Sequence, residues 1–568
     1  MPEFDLLIKN GLVFDGLRNP RRNADIGVRD GVIAEIGTLR ASSAARVIDA
    51  SGLHVAPGFI DIHTHYDSQV FWDPHCSISS WHGVTSVAVG NCGFGFAPVR
   101  REARERAMKS MERAEAIPVE CMKAGMPWDW ETFPEFLDSL ERTPKAVNIV
   151  PYLPLNPVLV WVMGAERAKA GELPSDAEHA ELERLLGEAM DAGACGFSAR
   201  RNEGSKGDFD GTPFPTDIMH PETVLRLAEV LAGRNRGVIQ YLYADAHFNM
   251  GPKARRHVED LAAVGRPVIW NAVATDPGQP GLHREVLAWL KSCRERGLPL
   301  YPQGVTTMPG MTFSFGNSAG IPGSDAALPW KQATMGETDE RLAKLRDPAH
   351  RAKMKAERPS RFVFGEVGNT VVARGRTPET QRFDGMKIRD VALTLDRDDV
   401  DAMAMLAVAD NLETDFYIQT LNNDQALLKE LIAEDFVLAG SSDGGAHTKW
   451  VTVGSYPTLF LTMFARDLGW LSLEEAHWRL STYPARCMGL RNRGSLQPGA
   501  AADIVVYDYA KLGMQPEEIA RDYPRGEWRR VQRAKGFRHV LVNGEAIIED
   551  DREVTCSPGR LLRLGKQA

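Results

Sequence analysis

The chain has 568 residues, 43% hydrophobic and 25% charged, the balance of a globular enzyme with a large core and more than one structural unit. Its formal net charge of -9 argues against nucleic-acid binding, and the basic runs at 100–109 and 525–535 are interleaved with Glu or Trp and read as solvated surface. Seven cysteines do not make a small-domain disulfide framework, the N-terminus lacks a basic-then-apolar leader, and no apolar run reaches the roughly 18 residues that would span a bilayer, so a cytoplasmic protein without membrane partners is expected.

Residues 4–56 alternate short apolar segments with Asn-Gly, Asp-Gly and Ser-Gly turns, the pattern of a small antiparallel β unit. It is too short to close its own core. A matching set at 502–507 and 539–544 predicts that the two chain ends fold together as one β-sandwich. Between them, apolar β-like runs alternate with helical stretches, which predicts a parallel α/β arrangement. The candidate strands are 58–65, 84–92, 146–152, 195–200, 237–243, 267–273, 298–305 and 436–443. Eight is the count of a closed (β/α)8 TIM-like barrel, whose chemistry sits at the carboxyl ends of its strands. The helix at 176–192 carries Leu182, Leu185, Leu186 and Met190 on one face. The excursion at 100–144 contains Trp128 and Trp130, which either wall a pocket or pack the excursion onto the barrel. The interval from 308 to 435 is too long for a loop, and an inserted lid over about 308–380 is expected. The domain reading is therefore 1–56 and 488–568 for the β unit and 57–487 for the barrel.

The first barrel strand ends in His63-Thr64-His65. Residues i and i+2 of a strand share a face, so both imidazoles project together as half of a divalent-metal site, with Asp61 and Asp67 available to orient the rings. The eighth strand delivers Asp443 into the glycine turn Ser441-Ser442-Asp443-Gly444-Gly445-Ala446-His447. A carboxylate at that mouth can ligate a metal and take a proton from water, or simply close an Asx-turn.

The stretch APGFIDIHTHYD, followed by VTSVAVGNCGFGFAP at 84–98 and GSSDGGAH at 440–447, resembles the amidohydrolase superfamily in its D-aminoacylase (N-acyl-D-amino-acid deacylase) branch. The resemblance runs over nearly the full chain. It implies that Cys92, in the Gly-Asn-Cys-Gly turn, is a metal ligand and that Asp443 is both ligand and general base. It implies zinc as cofactor and a small amide as substrate, an N-acyl amino acid or a related peptide-like compound. The chain departs from the pattern on the fifth and sixth strands, where the family carries histidines: Leu242 aligns with the first, and Asn271 or Ala272 with the second. One ion held by His63, His65 and Asp443, with Cys92 as fourth ligand, is the expectation, and a second ion lacks its family ligands. His220, His247 or His447 could substitute. Arg200, Arg201 and Lys449 are candidate partners for a substrate carboxylate, and Asn271 and Gln240 candidate donors to substrate or oxyanion. Beside the deacylase reading stand a cyclic-amide hydrolase, a mononuclear-metal lyase and a catalytically decayed barrel that binds without turnover. A homo-oligomer is compatible with any of them.

Overall fold

A computed structural model describes residues 3–41, 44–245, 250–317, 320–321, 324, 327–359, 365–419 and 421–565. Parallel strands covered by helices are buried on both faces, and so read as continuous apolar runs. Val84–Val89 is buried at every position, as are Asn148–Pro151 and Phe59–Asp61. Phe59–Asp61, Val84–Val89 and Asn148–Pro151 pair in parallel. The third strand runs on through Leu153–Pro154 to Gly196–Glu203, then Val238–Asp245, Val268–Val273 and Leu300–Gly304, all parallel. Two bridges close the ring through the eighth segment: Gln303 with Leu438, and Thr64 with Gly444. The result is the expected (β/α)8 barrel.

The helices form for local reasons that the sequence carries. Asp176–Ala192 starts on a capping box between Ser175 and Glu178 and stops at Gly193, which takes the left-handed φ of 117°. Its Leu182, Leu186 and Met190 are buried against the barrel. Trp128 and Trp130 stack on one another, and Trp130 stacks on Phe71 and donates its indole N–H to the Phe96 carbonyl at 2.8 Å. These rings therefore fasten the excursion to the barrel.

The two chain ends share one nine-stranded sheet. Its central junction is Ile504–Tyr507, antiparallel to His54–Pro57 on one side and to Phe537–Val542 on the other. One apolar face of this sheet closes on itself around Leu6, Ile26, Ile48, Ile504, Val506 and Leu541. Val505, Val540 and Tyr507 join the barrel's own core instead.

The insertion is larger than 308–380. Gly310–Phe313 pairs antiparallel with Asp415–Gln419, which also pairs with Val371–Arg374. Over this sheet lies a separate core containing Phe313, Trp330, Val372, Met403, Leu406 and Phe416. The apolar helix Asp399–Ala409 thus belongs to the inserted unit and not to the barrel, because it packs in one core with strands as far apart in the chain as Gly310–Phe313 and Asp415–Gln419.

Several imidazoles are buried as neutral groups where the sheet meets the barrel. His477 lies against Phe14 and Phe59 and pairs with the Tyr507 hydroxyl at 2.9 Å. Burial, then the nearby His54, lowers its pKa to about 3. His82 is lowered to about 4 by burial, although the Gln532 carbonyl pulls the other way. A base whose folded pKa lies below its unfolded 6.5 gives its full stability above pH 6.5 and loses it as acid protonates the unfolded chain first. Unfolding free energy should therefore fall between pH 6.5 and 4, at up to roughly 1.4 kcal/mol per pH unit for each such ring. Urea unfolding at fixed m checks this, and His477→Gln should flatten the slope. An unchanged slope in the variant contradicts the assignment.

Candidate metal centre

The centre forms where the eighth barrel segment turns back over the first. His65 N–H donates to the Gly444 carbonyl at 2.7 Å, and the Ser442 hydroxyl donates to the His63 carbonyl at 2.8 Å. The turn lies so close that a Cβ at Gly444 would meet Tyr66 and Ser79 side-chain atoms at 2.8 Å. Gly445, at φ 89°, would meet the His65 carbonyl oxygen at 2.9 Å. Asp443 and His447 both adopt left-handed backbone, at φ 45° and 57°, which L side chains adopt at a cost of about 1–3 kcal/mol. That backbone aims Asp443 inward.

Cys92 arrives from the second strand in a turn of its own, at φ 56°. Its N–H donates to Gln240 Oε1 at 2.7 Å, the Gly93 N–H to Ser198 Oγ at 2.9 Å, and Asn91 Nδ2 to the carbonyl of Thr64 at 3.1 Å. Three barrel strands therefore hold the thiol in place.

His63 Nε2 is 3.2 Å from Cys92 Sγ and 3.2 Å from Asp443 Oδ1. His65 Nε2 is 3.9 Å from the same Asp443 oxygen. The ligand atoms of His63, His65 and Cys92 lie within 4.8 Å of one another. Donors that share one ion at 2.0–2.3 Å stand about 3–4 Å apart, so these residues fit a single divalent cation. Their chemistry fits as well: two imidazoles, a thiol and a carboxylate are zinc donors. Burial lowers the pKa of both imidazoles, that of His65 to about 3, so both stay neutral and able to ligate. Burial, then the Glu115 and Asp443 carboxylates, pushes the Cys92 thiol well up. A cation would have to drive its ionisation. At Asp443, loss of solvent raises the carboxyl, but His63, His447 and His65 outweigh it and hold it below the usual carboxylate value.

Of the two positions aligned with family histidines, Leu242 offers no ligand and Asn271 belongs to a chain of amides. Gln240 Nε2 donates to Asn271 Oδ1 at 2.5 Å, and Asn271 Nδ2 to Gln303 Oε1 at 2.5 Å. Gln303 Nε2 reaches the Ala439 carbonyl at 3.4 Å. A backbone N–H at Cys92 starts this ladder and a backbone carbonyl ends it, so the orientation of every amide is set. His63 Nδ1 faces it, 3.3 Å from Gln303 Oε1 and 2.9 Å from Asn271 Nδ2. The nearer contact makes Nδ1 the acceptor of the second Asn271 Nδ2 proton; the tautomer that frees the Nε2 lone pair for an ion carries its proton on Nδ1 and donates it to Gln303 Oε1 instead. Asp61 and Asp67 do not orient the rings as expected. Asp61 accepts the His63 backbone N–H at 3.3 Å, burial raising its carboxyl to about 7, and Asp67 Oδ2 is buried without a hydrogen-bond partner among the described residues.

The remaining expected residues scatter. Asn271 is consumed in the ladder and is not a donor to substrate. His220 is exposed at the start of Pro221–Gly233, where its ring accepts the Glu222 N–H at 3.4 Å, away from the cluster. His247 lies outside the described residues. Arg200 stays at the barrel mouth, on the same side of its strand as Ser198, with Nε and Nη2 donating to the two Asp217 oxygens at 3.0 Å. Arg201 points the other way, into the helix layer: it lies over Tyr243, which packs on His257, and it pairs with Glu203 at 3.0 Å. Lys449 turns to Glu527 and to the Trp528 carbonyl, leaving the centre. Two residues that sequence reasoning did not single out stand at the centre: Gln303, and Glu115, which approaches His65 and His447.

The amidohydrolase family model matches residues 46–204 and 331–548. The D-aminoacylase of Alcaligenes xylosoxydans xylosoxydans is 28% identical, covering 98% of this chain and 97% of the relative. The N-acyl-D-glutamate deacylase of the same organism is 27% identical, with 99% and 97% covered. A crystal structure of N-acyl-D-glutamate deacylase from Bordetella bronchiseptica, complexed with zinc and a phosphonate mimic of the tetrahedral intermediate, superposes with a TM-score of 0.66 at 25% identity, covering 99% of this chain and 100% of that one.

If the ladder is continuous, Asn271→Leu strands the Gln240 donor and the Gln303 acceptor inside the barrel. Each orphan costs about 1–3 kcal/mol, so the urea midpoint should drop by their sum divided by an unchanged m. A midpoint equal to that of the parent protein would contradict the ladder.

Proposed function

The chain belongs to the amidohydrolase family, and we propose that it is a metal-dependent hydrolase of the amide bond in N-acyl amino acids. The observation that carries this is the convergence of His63, His65, Cys92 and Asp443 within ligand distance at the carboxyl end of the barrel. The two deacylases that match the chain from end to end support the substrate class. His63, His65, Cys92 and Asp443 would hold one zinc ion. Bound there, it supplies a Lewis acid for the amide carbonyl and makes water acidic enough to ionise near neutral pH.

The rest is the work of the chain's own groups. The Asp443 carboxylate removes the proton of the attacking water and returns it to the leaving nitrogen. As an ionised carboxylate it is a base at neutral pH, and its 30% exposure leaves it open to substrate. His63 and His65, neutral and 3% and 1% exposed, fix the geometry without taking the proton. Arg200, its charge paired with the buried Asp217 and its guanidinium flanked by Phe94 and Phe214, gives the mouth a fixed guanidinium beside the substrate space. A cavity lined mainly by Phe94, Met111, Val160, Trp161 and Phe214, with Arg106 and Asp208 in its wall, starts two residues beyond Cys92 and suits an acyl chain.

A panel of N-acyl D- and L-amino acids, assayed for free amino acid before and after chelation and zinc return, tests the proposal. Hydrolysis should vanish with chelator and recover with zinc. Asp443→Asn should lower kcat by about 10²–10⁴-fold with the fold intact. No turnover of any panel member by zinc-loaded protein would sink the reading.

A further inference from the structure

Glu115 ends the helix Arg104–Glu115, which belongs to the excursion after the second barrel strand. Its side chain is 5% exposed. Ala116 then turns the chain at φ 60°, which drives the helix end into the barrel mouth. There Glu115 Oε2 lies 3.7 Å from His65 Nε2 and 3.2 Å from His447 Nε2. The His65 distance is too long for a hydrogen bond. It matches the 3.9 Å between His65 and Asp443, the spacing of two donors on one ion. A purely tethering role is already filled by the main chain, since the His447 N–H donates to the Glu115 carbonyl at 2.7 Å. On the other side of His63 stand the amides of Gln240, Asn271 and Gln303, and neither the fifth nor the sixth strand carries a histidine among its described residues.

We propose that Glu115 is a ligand of the divalent ion at this centre, supplied by the helical excursion in place of the strand histidines, and that His447 is its positioning residue. This rests on the metal-centre reading given above. The ligating atom is Glu115 Oε2, beside His65. His447 donates its Nε2 proton to that same carboxylate and holds it, and its ring, stacked on Trp450 at 5.2 Å and 11°, is itself held in plane. The site therefore takes a divalent ion of the zinc, cobalt or manganese class, bound by mixed nitrogen, sulfur and carboxylate donors.

The test uses the full-length protein stripped of metal and reloaded with zinc or cobalt(II). Zinc affinity is read by competition with a chelator, and cobalt(II) coordination by visible absorption. Glu115→Gln keeps the hydrogen bond with His447 and should loosen zinc by at least 100-fold and change the cobalt(II) ligand-field bands. His447→Gln should loosen zinc by about 10-fold, the effect of losing an orienting partner. Glu115→Gln with zinc affinity within twofold of the parent and a superimposable cobalt(II) spectrum overturns the assignment. So does looser zinc with an unchanged spectrum, which would make Glu115 an orienting group and not a ligand. His63→Ala separates the two levels: if the parent protein takes up no ion, or His63→Ala keeps it, the metal-centre reading itself fails. If His63→Ala loses the ion and Glu115→Gln does not, only the present assignment fails.

Discussion

The hydrogen bond from His65 N–H to the Gly444 carbonyl is the contact on which the molecule's chemistry turns. It is where the first and eighth staves of the barrel meet, and it brings into register two segments almost 380 residues apart. Everything near it serves the closeness of that approach. Glycines stand where a methyl group would strike Tyr66 or the His65 main chain, and Asp443 and His447 accept unfavourable backbone torsion. A barrel that failed to close here would still bury its apolar strands, but the acid and the imidazoles would stand apart. Ring closure and assembly of the donor set are thus one event.

The sequence displayed the barrel well because its strands are buried on both faces. Such strands leave unbroken apolar runs, and each expected segment overlaps the stave found. The local motifs were equally legible: His63 and His65 share a strand face by simple alternation, and a glycine-rich strand exit marks Asp443. What stayed hidden depends on partners far away in the chain. Gln240, Asn271 and Gln303 come one from each of three strands, and nothing in a single strand announces that an amide there will meet another amide. Glu115 sits in a helix crowded with charges (RERAMKSMERAE), where a solvated carboxylate is the ordinary outcome. The pair Arg200 and Arg201 looked equivalent on paper, yet strand alternation sends one to the mouth and the other to the helices. The extent of the insertion was underestimated for the same reason, because the helix Asp399–Ala409 is apolar enough to pass for part of the barrel until its sheet partners are known.

The inserted unit is also joined to the centre. Its core includes Ala116, next to Glu115, and Trp450 and Val451, which follow His447. The Thr312 N–H donates to the Trp450 carbonyl at 2.9 Å. The same apolar cluster therefore supports both the end of the excursion helix and the exit of the Asp443 turn. Packing inside the insertion and geometry at the metal centre are mechanically connected, whatever passes between them.

The ladder of amides has a property that a pair of histidines could not share. None of its members changes charge between mildly acidic and mildly basic solution, so the tilt of the His63 ring is governed by dipoles that are indifferent to protons. Each link also has a sense of direction, running from a main-chain donor to a main-chain acceptor, and reversing one amide would oblige all three to reverse against those fixed ends. The orientation of the imidazole is in that respect an all-or-none setting, chosen once when the chain folds and kept thereafter.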